Sequence, residues 1–312
     1  MKYLLITNCT NRKSLPPSNG LDRYPKLIHE TKLVELTRDW VKKIENATSK
    51  IQAKDLYKGR TISDIKKTTQ LLRNADVSVI SAGLGLVNFE ELIPSYELSV
   101  SNQSDFIKNL NSNNINIDQW WSTINKIRLN KINPLSDLIN SGDYSKIFIS
   151  TSASYLDLIT TDLLKCSPKE LKKVLIFTSP LGQKKIELNQ VLKSQIIPYD
   201  ERFEDKKSGY SGTRVDFPQR TLRHFVEILN LENKPTTLSQ QKVLTFLSNL
   251  KKPTLPSRLR LSDEEIKKII KINWDANFGL SHKLLKHIRH VELVACEQSR
   301  FKKLWHDVNN GR

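Results

Sequence analysis

The sequence predicts an α/β protein with a parallel, doubly wound sheet, followed by a C-terminal all-helical module. Three observations carry this prediction. Short apolar runs alternate with helical stretches over the first two thirds of the chain, polar segments follow the predicted strands, and the pattern becomes wholly helical after residue 237. Strand, helix and strand repeated at these lengths are typical of a parallel sheet covered by helices.

The sheet elements are predicted from apolar runs too short for a buried helix. The predicted strands are residues 2–7, 77–81, 146–150 and 173–178, with a fifth at 196–198. The connecting helices are predicted at 33–45, 63–74 and 154–165. Residues 88–134 are rich in Asn and Ser and form a predicted insertion, whose Trp120 and Trp121 we assign to packing and not to base stacking.

The composition changes near residue 230, which predicts two domains, 1–234 and 235–312. The second contains predicted helices at 238–250, 263–272, 281–293 and 296–308. It holds ten Lys and five Arg against three Asp and four Glu, a net charge of +8. Short basic helices fit a helix-turn-helix-like nucleic-acid module, with Lys283 and Arg289 as contacts on the third helix. A solvated face on a helical cap is the alternative.

The net charge of the whole chain is +17, which favours a polyanionic partner through counterion release. A general bias of the sequence toward Lys, Asn and Ile gives the same excess without any partner. No apolar run approaches the 18 residues of a membrane span, and the N-terminus does not resemble a signal peptide. Cys9, Cys166 and Cys296 are too widely spaced for a metal site or a disulfide framework. We expect a cytoplasmic protein with no metal, no cofactor, no membrane association and no obligate protein partner.

Polar segments follow three of the predicted strands, and the carboxyl ends of parallel strands are where ligands bind. The segments are TNCTNRK after the first strand, SAGLGLVNFEEL after the second and TSPLG after the fourth. We expect them to converge on one cleft. Glu90 and Glu91 are candidate carboxylates for acid or base chemistry, although paired glutamates also begin solvated helices. Asp200 follows the fifth predicted strand and is the second candidate, although aspartate is also common in turns.

These segments resemble known families. SAGLGLVNFEELIPSYEL is similar to a stretch of peroxide-stress proteins of the YaaA type. The segment from Asn8 to Lys13, with the DLYKG segment at 55–59, resembles small bacterial proteins of unknown function that open with a strand and a Cys-Ser/Thr-x-x-K motif. TSPLGQKKIELNQVLKSQIIPYD is similar to the catalytic domain of archaeosine synthase. All these families belong to, or lie near, the uracil-DNA-glycosylase-like fold. Phe177 stands where the uracil enzymes have a histidine and their Asp-Pro-Tyr motif is missing, so uracil excision is not expected.

The branch that fits best is the anti-phage DNA glycosylases, which remove bulky modified bases such as glucosylated hydroxymethylcytosine from double-stranded phage DNA. The resemblance implies base flipping into the cleft, with Glu91 or Glu90 as the catalytic carboxylate and Asp200 in reserve. Asn8 reads the base or positions the water, since an amide both donates and accepts, and Cys9 is assigned to packing. The remaining predicted base or phosphate contacts are Thr10, Arg12, Lys13, Tyr96, Ser179, Leu181, Lys184, Lys185, Arg214 and Arg220. The alternatives are a non-catalytic YaaA-type DNA-binding stress protein and a base-modifying transferase that acts on tRNA.

Overall fold

The computed structural model describes residues 1–27, 32–101, 104–187, 189–231, 240–254 and 256–311. The chain divides into two units, Met1–Lys252 and Pro253–Arg312. The strands are β1 Tyr3–Asn8, β2 Ile51–Gln52, β3 Ala75–Ser81, β4 Gly85–Asn88, β5 Leu92–Ile93, β6 Lys146–Ser150 and β7 Val174–Phe177. The helices of the first unit are α1 Leu33–Asn46, α2 Ala53–Leu56, α3 Arg60–Leu72, α4 Asp105–Ser112, α5 Ile117–Leu129, α6 Pro134–Asn140, α7 Ala153–Leu163, α8 Pro168–Leu171, α9 Pro180–Glu187, α10 Phe217–Leu231 and α11 Gln240–Ser248. Those of the second are α12 Asp263–Ile272, α13 Ser281–His290 and α14 Gln298–Asn310.

The main sheet has the order β4-β3-β1-β6-β7. β3, β1, β6 and β7 are parallel, and β4 folds back antiparallel on β3, so that Gly85 pairs with Ser81 and Asn88 with Ser78. The predicted α/β class with a mostly parallel sheet is therefore confirmed. The predicted fifth strand is reduced to a single parallel bridge between Ile176 and Ile196, and β4 was not predicted.

Aromatic packing fixes α10 against the sheet. Phe225 of α10 lies 5.2 Å from Phe177 and 6.3 Å from Phe148, measured between ring centroids. α10 also packs along α3, while α5 packs between α1 and α7. Trp120 and Trp121 of α5 are buried, as the sequence predicted, and their indole N–H groups donate to Ala82 O and Asp162 Oδ2.

The predicted domain boundary at 234/235 lies outside the described residues. α11 was predicted to belong to the C-terminal module, but its core side chains pack with the first unit. Val243 and Leu247 join the first hydrophobic core, and Gln240 Nε2 donates to Ile196 O at 2.8 Å. Its apolar face is covered by the α/β unit, which explains the difference.

The second unit has its own small core. Ile266, Ile270, Leu284, Ile288 and Phe301 are buried members of this core, contributed by all three helices. α12 begins with a capping box, in which Ser262 and Glu265 satisfy each other's backbone N–H groups. None of the described helices has the length and apolarity that crossing a membrane requires.

Candidate active site

The order in which the chain adds parallel strands to the sheet reverses between β1 and β6. The chain passes from β1 to β3 on one side and then returns to β6 on the other, so β1 and β6 flank the topological switch point. Open α/β sheets bind ligands outside the carboxyl ends of the strands at this point. Asn8 ends β1 and Ser150 ends β6, and the candidate site lies around them.

An amide cluster, here defined as Thr7, Asn8, Ser150 and Gln219, lies at the switch point. Asn8 Oδ1 accepts hydrogen bonds from Thr151 Oγ1 at 3.2 Å, Ser152 N at 3.3 Å and Gln219 Nε2 at 3.3 Å. Gln219 comes from the first turn of α10, and its Nε2 also donates to Thr7 Oγ1 and Ser150 O. The buried amide of Gln219 therefore fixes the orientation of the Asn8 amide.

Two atoms of the amide cluster are buried without a partner. Gln219 Oε1 and Ser150 Oγ make no hydrogen bond to any described residue. An unsatisfied buried polar atom costs about 1–3 kcal/mol, and such atoms are rare enough that each calls for an explanation. The switch point thus holds one acceptor and one hydroxyl with spare hydrogen-bonding capacity.

A second group, the tyrosine cluster of Tyr57, Ser81 and Tyr96, lies at the carboxyl end of β3. Ser81 Oγ is 2.6 Å from Tyr96 Oη, which is 3.0 Å from Tyr57 Oη. All three side chains are buried. A Cβ at Gly83 would lie 2.7 Å from the Tyr96 ring, so only glycine permits this close approach. The residues come from DLYKG, SAGLG and the Pro-Ser-Tyr segment, which the sequence linked only by resemblance.

Cys9 connects the tyrosine cluster to α7. Its Sγ lies 3.0 Å from Tyr155 Oη and accepts a hydrogen bond from Ala82 N at 3.5 Å. Burial raises the pKa values of Tyr57, Tyr96 and Tyr155 above their ordinary 10, and the nearby Cys9 adds to the shift. These phenols therefore stay neutral and retain their O–H donors throughout the physiological range.

Lys13 lies against the tyrosine cluster. Its Nζ is 4.5 Å from the centroid of the Tyr96 ring, which favours the ammonium form. Burial nevertheless lowers the pKa of Lys13 from its ordinary 10.5, while Cys9 and Glu97 partly oppose this shift. A lysine whose pKa moves toward neutrality can act as a general acid or base.

The loop from Thr10 to Ser14 is held by backbone pairing to the end of α2 and the residues that follow it. Lys58 N donates to Arg12 O, and Ser14 N donates to Leu56 O, each at 2.9 Å. Thr10 Oγ1 donates to Arg12 O and Lys58 O, so the predicted base contact of Thr10 competes with a role in the loop. The Arg12 side chain is exposed.

The predicted carboxylates do not join the amide cluster. Glu91 Oε1 accepts from Arg128 Nη1 at 2.6 Å, and the same guanidinium donates to Leu84 O at 2.5 Å, which closes the turn before β4. Glu90 pairs with Lys54. The antiparallel course of β4 carries both glutamates away from the carboxyl end of β3, where Ser81 lies. Arg202 binds Asp200 through its backbone N–H and side chain.

Some of the cations predicted to bind phosphate are held in ion pairs, and others are exposed to solvent. Arg220 is fully buried and pairs with Glu204 and Asp216 at 2.5 and 2.7 Å, so it is not available to phosphate. Lys185 pairs with Asp157. Ser179 Oγ accepts from Gly182 N at 3.3 Å in the first turn of α9. The side chains of Leu181, Lys184 and Arg214 are exposed.

The two predicted contacts in the second unit also differ in availability. Lys283 is exposed, and its Nζ lies 4.6 Å from the centroid of the Phe278 ring. Arg289 donates two hydrogen bonds to Cys296 O and is only partly exposed.

A groove of about 480 Å³ lies among α4, α5, α7 and α9. The Asp157–Lys185 ion pair and Asp118 line it. It contains none of the amide or tyrosine cluster, so we place the candidate site at the strand ends and not in this groove.

Comparison of the chain with protein-family models, with curated proteins and with solved structures found no match. The described residues contain no group of three or more His, Cys, Asp or Glu side chains placed to hold a metal ion. Sequence reasoning missed Gln219, Tyr57 and Ser81. Tyr57 and Ser81 lie inside the DLYKG and SAGLG segments, and the resemblance of these segments to known families is the signal that could have found them.

Proposed function

We propose that the first unit is a DNA glycosylase that hydrolyses the N-glycosidic bond of a flipped, bulky modified base and leaves an abasic site. One observation carries this proposal. Asn8, Tyr57, Ser81 and Tyr96 come from three segments that resemble glycosylase-like families, and they lie together at the carboxyl ends of β1 and β3. The proposal includes a doubly wound, uracil-DNA-glycosylase-like fold and a role in defence against phage DNA.

The amide cluster is the proposed base and water site. Gln219 Oε1 and Ser150 Oγ have spare hydrogen-bonding capacity, so they suit the polar edge of a base taken out of the stack. Asn8 Oδ1 already accepts three hydrogen bonds, one of them from Gln219 Nε2, so it fixes the Gln219 amide and leaves Gln219 Oε1 as the acceptor that can also orient a water. A fixed acceptor serves catalysis because its orientation costs nothing at the moment of reaction.

Lys13 is the proposed general acid. The glycosidic bond breaks with both electrons passing to the base, and the Lys13 ammonium gives the departing base a proton. Water then bonds to the sugar C1′ and releases a proton to solvent, so the products are the free base and the abasic sugar. Burial lowers the pKa of Lys13, which makes the ammonium a stronger acid than an exposed lysine.

This assignment replaces the carboxylate mechanism expected from the sequence. Glu91, Glu90 and Asp200 each have a cationic partner, so using one in catalysis requires breaking an ion pair. The proposal therefore gives these carboxylates structural roles. Arg12 and Lys184, both exposed, remain the proposed phosphate contacts beside the cleft.

The test is base release from duplexes that carry cytosine, hydroxymethylcytosine or glucosylated hydroxymethylcytosine, scored as strand cleavage in alkali. We expect cleavage of a modified duplex by the wild type, loss with Lys13→Met, and retention with Glu90→Gln, a matched change of one charge outside the site. If the wild type binds every duplex and cleaves none, the protein is a non-catalytic DNA-binding protein. Loss with Glu90→Gln but not with Lys13→Met would overturn the assignment of the site.

A further inference from the structure

Four arginines surround one cavity in the second unit. Arg258, Arg260, Arg289 and Arg300 line a space of about 440 Å³, with Cys296 and Glu297 also on its wall. A short parallel bridge between Leu259 and Val294 places residues 258 and 260 beside the chain that leads into α14. Arg289 lies in the last turn of α13 and Arg300 in the first turn of α14.

Backbone carbonyls orient three of these guanidinium groups. Arg289 donates from Nε and Nη2 to Cys296 O at 2.9 and 2.8 Å, and Arg258 donates from Nε to Arg289 O at 2.9 Å. Arg300 donates from Nη2 to Leu261 O at 2.9 Å. Each guanidinium has five N–H donors, so these bonds fix its position and leave other donors unused.

The charges around the cavity do not balance. Asp263 binds Arg300 at 2.6 Å, and Glu297 accepts from Arg300 N at 3.3 Å and from the Ser299 hydroxyl. Four cations thus face two carboxylates. The exposed Arg260 has no hydrogen-bond or ion-pair partner within the part of the chain that the structure describes. Oriented guanidiniums with excess positive charge and free donor edges match the geometry of a phosphate, which they bind in a bidentate manner.

We infer that this cavity binds a phosphate group of a nucleic-acid backbone. The inference rests on the proposed function only for the identity of the polymer, because the arginines select phosphate by their own geometry. Of the two contacts expected on α13, it keeps Arg289 and replaces Lys283 with Arg258, Arg260 and Arg300. A backbone phosphate of the duplex enters between the 258–260 segment and the start of α14 and binds the arginines that line the cavity.

The test is equilibrium binding of the full chain to a fluorescent, unmodified duplex over a range of salt concentrations. Arg258→Ala/Arg260→Ala removes two cavity cations, and Lys268→Ala/Lys271→Ala removes two exposed cations from α12 as the matched control. Arg260→Ala alone is included because no described residue depends on that side chain. Losing one bound phosphate changes the slope of log K against log salt by about 0.9.

We expect the double cavity variant to bind the duplex at least about tenfold more weakly, with a shallower salt slope, and Arg260→Ala to show part of this loss. The α12 control retains the wild-type slope. Equal losses in cavity and control variants would overturn the inference, since they indicate a diffuse positive field. Absence of any duplex binding by the wild-type chain at low salt would overturn the assignment to nucleic acid. Because the duplex is unmodified and no base is released, failure of the glycosylase proposal leaves this result unaffected.

Discussion

His224 makes the stability of the first unit depend on pH. It is only 5% exposed, its Nδ1 lies 2.7 Å from Tyr199 Oη, and the rings of Phe246 and Tyr210 pack on it at 4.1 and 4.9 Å. Burial, and then the charge of Arg223, lower the pKa of His224 from 6.5 to about 4. The folded protein therefore resists taking up a proton that the unfolded chain accepts readily.

The sign and size of the effect follow from proton linkage. Between pH 6.5 and about 4 the unfolded chain binds the proton and the folded protein does not, so the free energy of unfolding falls as the pH falls through this window. Below about pH 4 both states are protonated and the loss is complete. The difference between the two pKa values corresponds to about 3 kcal/mol.

The measurement is urea unfolding of wild type and His224→Asn at several pH values between 7 and 4. Asparagine places an amide where Nδ1 lies and does not titrate. The variant is expected to be less stable at pH 7 because the ring packing is lost, but to lose about 3 kcal/mol less than wild type on acidification. His306→Asn, an exposed site in the second unit, serves as the control and should follow wild type. Equal losses in wild type and His224→Asn would refute the reasoning.

Three other changes test the site and the core. Asn8→Ala should lower base release by about 100-fold, because the Gln219 amide, whose Oε1 orients the water, loses the acceptor that fixes it; an unchanged rate in a steady-state assay would contradict this role. Lys13→Met should lower it by about 100-fold or more. The wild-type rate should fall as pH rises through the pKa of Lys13, below 10.5, since the acid must be protonated, and a flat alkaline limb in the pH–rate profile would argue against it. Arg220→Met should cost about 3 kcal/mol in urea unfolding, because the buried Asp216 loses its nearest cation and keeps the weaker ion pair with Arg60 Nε at 3.8 Å, and a loss under about 1 kcal/mol would show that the Arg220–Asp216 pair is dispensable.

The strands and their polar ends could be predicted because period and composition are local signals. Residues 146–150 were predicted as a strand and form β6 with the same bounds, and the helix predicted at 263–272 is α12 with the same bounds. β4 escaped prediction because it has only four residues and follows a glycine-rich turn without an intervening helix. Its antiparallel pairing with β3 depends on tertiary contacts, which no local sequence pattern indicates.

The chemistry of the site was harder to predict because partners come from distant parts of the chain. Arg128, which binds Glu91, lies 37 residues away, and Gln219, which binds Asn8, lies 211 residues away. Ion pairing between distant residues gives no signal in the sequence. A glutamate that is free at the mouth of a cleft therefore cannot be distinguished, from the sequence, from one that stabilises a turn through an ion pair. Arg220 was predicted to contact a base or phosphate, whereas aromatic rings and two carboxylates enclose it.

The most direct test of the central claim is mass spectrometry of the bases released when the full chain is incubated with unmodified DNA and with DNA carrying glucosylated hydroxymethylcytosine. The account predicts release of an intact modified base by the wild type, in equal amount to the abasic sites formed, and almost none by Asn8→Ala. Release of no base from either DNA, or equal release by wild type and Asn8→Ala, would contradict it.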